Sequence, residues 1–140
     1  MITKKAVRGP FSAMSRACAV ALLVLFTQTA RAGENSAWEH ITDNMGILYF
    51  FKPTCPYCRE QSGILDKLEK RGWKNLVRVD ITQSPQVAEE YGVSVVPSLW
   101  LIGNAEGEIL SAHISIGLLS EQELLRSIED VYRAWFGPAI

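Results

Sequence analysis

Two cysteines three positions apart, Cys55 and Cys58, are the residues of this sequence best suited to chemistry. An apolar and aromatic run over residues 47–51 precedes them. It is too short for a buried helix, so it predicts a strand covered on both faces. A helical pattern follows over residues 56–71 and begins with proline, which suits a first helical position because no backbone N–H is needed there. The order strand, Cys-x-x-Cys, helix defines the candidate site.

The start of a helix favours an ionised thiol. Free backbone N–H groups and the positive end of the helix dipole stabilise a thiolate there, so we predict that Cys55 is the nucleophile. Cys58 lies one turn further into the helix, where it can attack the mixed disulfide that Cys55 forms and release the product. Lys52 either adds positive potential or points to solvent. The pair predicts thiol–disulfide exchange.

The first 32 residues have the composition of a secretory signal peptide. They contain five basic residues and no acidic one, and residues 17–26 form an uncharged apolar run. A bilayer span needs about 20 apolar residues, and this run has about half that number, so cleavage is favoured over an uncleaved anchor. Ala30 and Ala32 frame a small-residue cleavage site. We therefore expect a signal peptide over residues 1–32 and a domain over residues 33–140, exported to a periplasm and not inserted in the membrane after cleavage.

Charge excludes one class of partner. All 15 Asp and Glu residues, but only nine of the 14 Lys and Arg residues, lie in the predicted mature domain. Binding to a phosphate backbone needs clustered cations, so we expect no nucleic acid partner for so acidic a domain. In an oxidising compartment, its cysteine pair is interpreted as a redox pair or a disulfide.

Other uses of a Cys-x-x-Cys pair fit this chain less well. A structural zinc site needs four ligands, whereas the predicted mature domain offers two cysteines and the distant His40 and His113. An iron–sulfur cluster lacks ligands as well. A structural disulfide over so short a loop would constrain the unfolded chain little. We therefore predict no metal and no other cofactor, and we interpret both histidines as surface or edge residues.

The rest of the sequence alternates strands and helices. Hydrophobic patterns, turn residues and helix caps predict a strand over 76–81, a short helix after Ser84 that ends at Gly92, strands over 98–102 and 109–116 joined by a turn-rich segment over 103–107, and a helix opened by the capping box of Ser120 and Glu123. In residues 33–46, Trp38 and Ile41 could dock a short helix, and no strand is expected. The order predicts one α/β domain in which a central mixed sheet is flanked by helices.

Two separated motifs resemble the thioredoxin family. They are Phe-Phe-Lys-Pro-Thr-Cys-Pro-Tyr-Cys at 50–58 and Tyr-Gly-Val-Ser-Val-Val-Pro-Ser-Leu at 91–99, and the resemblance covers nearly all of residues 46–136. It implies a thioredoxin-like fold in which Pro97 is a cis-proline that faces the cysteines. It also implies that Val96 offers backbone hydrogen bonds to an extended substrate. The alternative is an ordinary trans proline that ends a loop before a strand.

We also expect Pro56 and Tyr57, which lie between the cysteines, to contact substrate. Gly117 falls where the family brings its backbone close to the active site, although a glycine there could simply form a bend.

This chain departs from cytoplasmic thioredoxins at two positions. They carry a Trp just before the first cysteine and a buried Asp six residues before it, where this chain has Thr54 and Tyr49. The Asp accepts the proton of the resolving thiol, so its loss argues against fast general reductase activity. Gly63 stands where many relatives have a helix-kinking proline, and glycine permits a bend without forcing it.

The export signal and the Leu-Leu-Ser-Glu-Gln-Glu-Leu start of the last helix are similar to the thioredoxin-like proteins of bacterial conjugation systems, the TraF/TrbB type. We predict an exported thiol:disulfide oxidoreductase or isomerase that exchanges disulfides with exported cysteine-containing proteins and is recharged by a redox partner. One alternative is a dedicated reductant for one client of a secretion, conjugation or cytochrome-maturation system. Another is a redox-inactive scaffold, against which the intact cysteine pair argues.

Overall fold

The computed structural model describes residues 36–138, so the predicted signal peptide over residues 1–32 lies outside the described residues. Residues 36–44 are helical and are named α1. The elements that follow are β1 (Met45–Phe51), α2 (Pro56–Lys70), β2 (Leu76–Asp80), α3 (Pro85–Glu90), β3 (Ser98–Ala105), β4 (Glu108–Ile116) and α4 (Glu121–Phe136). In this part of the chain, no helix is both long and apolar enough to cross a membrane.

The four strands form one mixed sheet in the order β2-β1-β3-β4. β1 pairs in parallel with β2 and antiparallel with β3, which pairs antiparallel with β4. Because β1 has a neighbour on each edge and helices over both faces, an unbroken apolar run forms it. The predicted α/β fold, a central mixed sheet flanked by helices, is confirmed.

The two faces of β1 enter separate cores, because successive residues of a strand point to opposite faces. Ile47 and Tyr49 pack with α2 and α4, whereas Leu48 and Phe50 pack with β2 and α3. The helices of the first core contribute Leu65, Leu68, Leu124, Ile128 and Tyr132. This packing holds α2 against the sheet, with its first turn just beyond the end of β1.

The connection predicted over residues 103–107 is wrong in length. β3 continues to Ala105, and the turn consists of Glu106 and Gly107, whose φ angles are 55° and 90°. A two-residue turn with positive φ at both positions matches the twist of a hairpin. The Asn104 side chain stabilises it by accepting the Gly107 N–H at 3.0 Å.

Gly103 lies inside β3 for a packing reason. A Cβ atom at this position would lie 2.7 Å from the Trp135 ring. Glycine therefore permits the close approach of α4 to the sheet, and its presence in the sequence does not mark a turn.

The segment before β1 contains a helix and the start of a strand. α1 matches the predicted short helix, with Ile41 buried and the ring of Trp38 centred 5.8 Å from that of Trp73. The expectation of no strand in residues 33–46 is wrong for the last two of these residues, which belong to β1 and pair with β3. The greater length of β3 supplies their partners.

Candidate active site

Cys55 lies just beyond the C-terminal end of β1 and is the N-cap residue of α2. Its backbone is extended, with φ −86° and ψ 117°, and its sulfur accepts the backbone N–H of Cys58 at 3.1 Å. An N-cap side chain normally pairs one of the free N–H groups at a helix start, and here sulfur does so. The structure thus places Cys55 at the helix start as predicted, and its role as nucleophile stays a prediction.

Cys58 lies on the buried side of α2, with 1% of its surface exposed. Burial is the main cause that raises the pKa of its thiol to about 11, and the side chain of Cys55 adds to the effect. The backbone of Lys52 and the hydroxyl of Tyr49 lower this pKa in part. At neutral pH this raised pKa keeps Cys58 protonated. Since the thiolate is the attacking form, little of Cys58 is ready to attack. Both cysteines are free thiols in this structure.

The loop before β3 brings the second sequence motif to the cysteines. The Val96–Pro97 peptide bond is cis, as the thioredoxin resemblance implies. The Val96 carbonyl oxygen lies 3.9 Å from the Cys55 sulfur. Gly117, which follows β4, donates its backbone N–H to the Pro97 carbonyl oxygen at 2.8 Å. Two loops that are distant in sequence therefore meet at Pro97, next to the residue whose carbonyl oxygen lies near Cys55.

Gln61 is a residue of the site region that sequence reasoning missed. It is fully buried on the same face of α2 as Cys58 and Leu65. Its side-chain oxygen accepts the backbone N–H of Leu119 at 2.8 Å, which joins α2 to the loop after Gly117. Its Nε2 has no partner among the described residues. A polar residue at helical spacing on an otherwise apolar face is the signal that could have revealed it.

Tyr49 lies beneath Cys58, with 0% of its surface exposed. Its hydroxyl donates to the Cys58 carbonyl oxygen at 2.6 Å and lies 3.3 Å from the Ser62 hydroxyl oxygen. Burial raises the pKa of Tyr49 to about 12. At neutral pH Tyr49 is therefore a protonated phenol. It stands at the position where the sequence comparison with cytoplasmic thioredoxins expects a buried Asp.

Three large apolar side chains are exposed on the segments that carry the cysteines and the cis-proline and at the end of β4. Tyr57 is 64% exposed, Val95 54% and Ile116 67%. Pro56 is also exposed, whereas Val96 is half-buried and Pro97 is buried. Exposed apolar side chains near a half-exposed thiol are typical of a surface that contacts another molecule.

The two histidines lie outside this arrangement. Both are exposed, and His113 pairs with the Ser98 hydroxyl at 3.0 Å and stacks on Trp100. Within residues 36–138, no group of three or more His, Cys, Asp or Glu side chains is placed to hold a metal ion.

Residues 23–129 match the TraF family, which is described as the F plasmid transfer operon protein. The match spans well over half of the 140 residues and includes both cysteines and Pro97. The chain belongs to the TraF family. The predicted resemblance to thioredoxin-like proteins of the TraF type is confirmed.

This TraF-family chain is also similar to thioredoxins and a glutaredoxin. It is 29% identical over 96 residues to thioredoxin of Chlamydia trachomatis, which covers 68% of this chain and 89% of that one. It is 35% identical over 60 residues to thioredoxin 2 of Plasmodium falciparum, covering 41% of this chain and 38% of that one. It is 34% identical over 61 residues to glutaredoxin-1 of Rattus norvegicus, covering 39% and 57%. The chain thus spans well under two thirds of the Plasmodium and rat relatives.

Solved structures confirm the thioredoxin-like fold of this TraF-family chain. The structure of thioredoxin-2, a component of malaria parasite protein secretion machinery, superimposes with a TM-score of 0.55 at 29% identity, covering 62% of this chain and 82% of that one. Trichomonas vaginalis thioredoxin superimposes with a TM-score of 0.56 at 22% identity, covering 71% and 90%.

Proposed function

We propose that this TraF-family protein is an exported thiol:disulfide oxidoreductase that acts on cysteine-containing protein substrates. The observation that carries the proposal is the pair of free thiols at the start of α2, with Cys55 half-exposed at the N-cap and Cys58 buried one turn further in. The similarity to thioredoxins supports thiol–disulfide redox chemistry for this pair.

The proposed reaction consists of two exchanges. In the reducing direction, the Cys55 thiolate attacks one sulfur of a substrate disulfide, which forms a mixed disulfide and releases the other substrate sulfur as a thiolate. The Cys58 thiolate then attacks the Cys55 sulfur, so the substrate leaves with its second sulfur reduced and the protein holds a Cys55–Cys58 disulfide. In the oxidising direction the same steps run in reverse. A separate redox partner restores the starting state in either case.

The apolar surface favours an extended protein segment as substrate. The Val96 backbone lies beside Cys55, where it can pair with the backbone of a segment that carries the reacting cysteine. Tyr57, Val95 and Ile116 are exposed around it and offer apolar contacts to the side chains of that segment. We infer that Pro56 and Tyr57 contact the substrate on the α2 side, and Val96 and Pro97 on the other.

Disulfide isomerisation is a second candidate activity, and the burial of Cys58 favours it. Burial disfavours the thiolate of Cys58, which slows resolution of the mixed disulfide. A long-lived mixed disulfide allows other substrate thiols to attack and rearrange the bonds.

Export to a periplasm supports the same chemistry, because disulfides persist in oxidising compartments. The proposal rests here on the signal-peptide pattern of residues 1–32 and on membership of a plasmid-transfer family. Exported proteins of a conjugation system are the substrates it favours.

The test is mixed-disulfide trapping in an exporting bacterial host. Cys58→Ala lacks the thiol that resolves the mixed disulfide, so Cys55 remains joined to its substrates. Adducts therefore accumulate, and a reductant cleaves them. Cys55→Ala is the matched control, because it removes the other thiol by the same substitution and should give no adducts. Free thiols are blocked at harvest, and the two variants are compared on non-reducing gels.

A redox-inactive scaffold gives a different result. It retains its partner in both variants through non-covalent contacts, and reductant does not release that partner. Absence of reductant-sensitive adducts from Cys58→Ala would contradict the oxidoreductase proposal.

A further inference from the structure

The hydroxyl groups of Tyr49 and Ser62 form a pair beside the backbone of Cys58, the residue that carries the buried thiol. Tyr49 is fully buried in β1, and its ring stacks on Phe51 with centroids 5.5 Å apart, which holds the phenol in place. The Tyr49 hydroxyl lies 2.6 Å from the carbonyl oxygen of Cys58, in the first turn of α2, and 3.3 Å from the hydroxyl oxygen of Ser62, one turn further on.

The direction of these two hydrogen bonds follows from a count of protons. The Cys58 carbonyl oxygen can only accept, so the single phenol proton of Tyr49 is donated to it. Ser62 must then donate its own proton to the Tyr49 oxygen. A carbonyl inside a helix already has the N–H four residues on as a partner. The phenol is therefore not required to satisfy this carbonyl, and its proton is available to a stronger acceptor nearby.

We propose that Tyr49 stabilises the resolving thiolate directly. Its hydroxyl turns from the Cys58 carbonyl to the Cys58 sulfur when that sulfur becomes a thiolate. Ser62 holds the phenol oxygen from the opposite side during this change. This inference rests on the proposed exchange reaction and adds the group that stabilises its second step.

The effects of the two side chains on each other's pKa agree with this geometry. The Tyr49 hydroxyl lowers the pKa of Cys58, and Cys58 in turn raises the pKa of Tyr49. Such a reciprocal effect is expected when the phenol donates to a thiolate. Among the described residues, the titratable side chains that act on Cys58 are Tyr49 on β1 and Cys55 at the helix start. Together with the backbone of Lys52, the neutral phenol of Tyr49 thus offsets part of the effect of burial on this thiol.

Tyr49 keeps its proton throughout the step. In the mixed disulfide, Cys58 releases its proton to solvent and attacks the Cys55 sulfur, the bond between Cys55 and the substrate breaks, and the departing substrate thiolate takes up a proton from solvent. The phenol only lends a hydrogen bond to the developing charge. We therefore expect the loss of its hydroxyl to slow the second exchange and to leave the first one unaltered.

The experiment separates the two exchanges with dithiodipyridine, an aromatic disulfide that releases one coloured thiopyridone at each. The reduced full-length protein and all its variants carry Cys18→Ala, which leaves Cys55 and Cys58 as the only thiols of the sequence. Mixed with this protein, the reagent reports attack by Cys55 as a first phase and attack by Cys58 as a second phase. In Tyr49→Phe we expect the first rate to stay within about twofold and the second to fall roughly tenfold at neutral pH, as for a lost hydrogen bond to a charged group. The pH profile of the second phase should move to higher pH.

Tyr132→Phe is the matched control, because Tyr132 is also buried in the same core but belongs to α4. It should leave both phases unchanged. Ser62→Ala, at a half-buried position of α2, should slow the second phase in the same direction by a smaller factor. This variant provides the same test if Tyr49→Phe does not fold.

Two outcomes would overturn the role of Tyr49. One is a second phase unaltered in Tyr49→Phe and Ser62→Ala while the wild-type protein shows both phases. The other is equal slowing in Tyr132→Phe, which would indicate a general loosening of the core. Absence of a second phase from the wild-type protein would contradict the exchange reaction itself, and the inference with it.

Discussion

Cys55 and Cys58 are one helical turn apart, yet they meet different surroundings. Cys55 is half-exposed and accepts a hydrogen bond from a backbone N–H at the helix start. Cys58 is buried against β1, where removal from water disfavours its charged form and raises the pKa to about 11. From this difference in environment we predict that Cys55 attacks the substrate and that Cys58 resolves the mixed disulfide.

Selective alkylation measures this difference. We expect iodoacetamide to modify Cys55 of the reduced protein at mildly acidic pH and to leave Cys58 unmodified, since the thiolate is the reactive form. Because the pKa of Cys58 is raised, its modification should begin only at alkaline pH and rise as pH approaches about 11. Mass spectrometry of the peptides gives both rates, with Cys58→Ala as the reference for Cys55 alone. Equal rates for the two thiols would contradict their assigned roles.

The start of α4 combines a helix cap with a contact to α2. Ser120 accepts the Glu123 N–H at 3.3 Å, and the Glu123 carboxylate accepts the Ser120 N–H at 3.0 Å, so the predicted capping box is confirmed. The preceding residue, Leu119, is the one that Gln61 holds. A single turn therefore begins α4 and attaches the loop after β4 to α2.

Loss of the helix cap should lower the free energy of unfolding and leave the reactivity of the thiols unchanged. Ser120→Ala removes the acceptor for an otherwise unpaired N–H, and we expect it to lower the free energy of unfolding by about 1 kcal/mol. Ser127→Ala, inside the same helix, is the matched control and should be neutral or slightly stabilising, because alanine favours helix interiors. Urea denaturation of the two variants makes the comparison. A Ser120→Ala protein as stable as wild type would show that the capping box does not stabilise α4.

On the scale of the whole molecule, α4 and the sheet are joined by close packing at Gly103. The Trp135 ring occupies the space that a side chain at this position would need. The helix on the same face, α2, is held by the same core. The position of both helices on the sheet, and with it the position of Cys55, thus depends on a tightly filled interior.

Two glycine substitutions should have opposite effects. In Gly103→Ala the new Cβ would lie 2.7 Å from Trp135, so the ring or the helix must shift, and we expect a loss of about 1–3 kcal/mol. In Gly63→Ala the new Cβ has nothing within 4 Å on an exposed face of α2, so we expect a gain of about 0.5–1 kcal/mol. Thermal unfolding of both variants gives the signs. A gain for Gly103→Ala would mean that α4 is not tightly packed there.

The elements around the site could be predicted from sequence because their causes are local. The apolar run of β1, the proline that opens α2 and the capping box of α4 each involve residues within a few positions of one another. The bounds of the hairpin were harder to predict from sequence, because a glycine can mark either a turn or a tightly packed position in a strand. Gly107 supplies the positive φ of a turn, whereas Gly103 supplies space for a ring from α4.

By itself, the sequence determined the cysteine pair, its place at a helix start and the order of strands and helices, since backbone sterics and capping act over a few residues. Only the tertiary structure decided which distant groups surround that pair. It places the Val96 carbonyl against Cys55, Tyr49 beneath Cys58 and Gln61 against Leu119. These contacts depend on strand register and on how α2 packs across the sheet, and neither is set by residues that adjoin the cysteines in the chain.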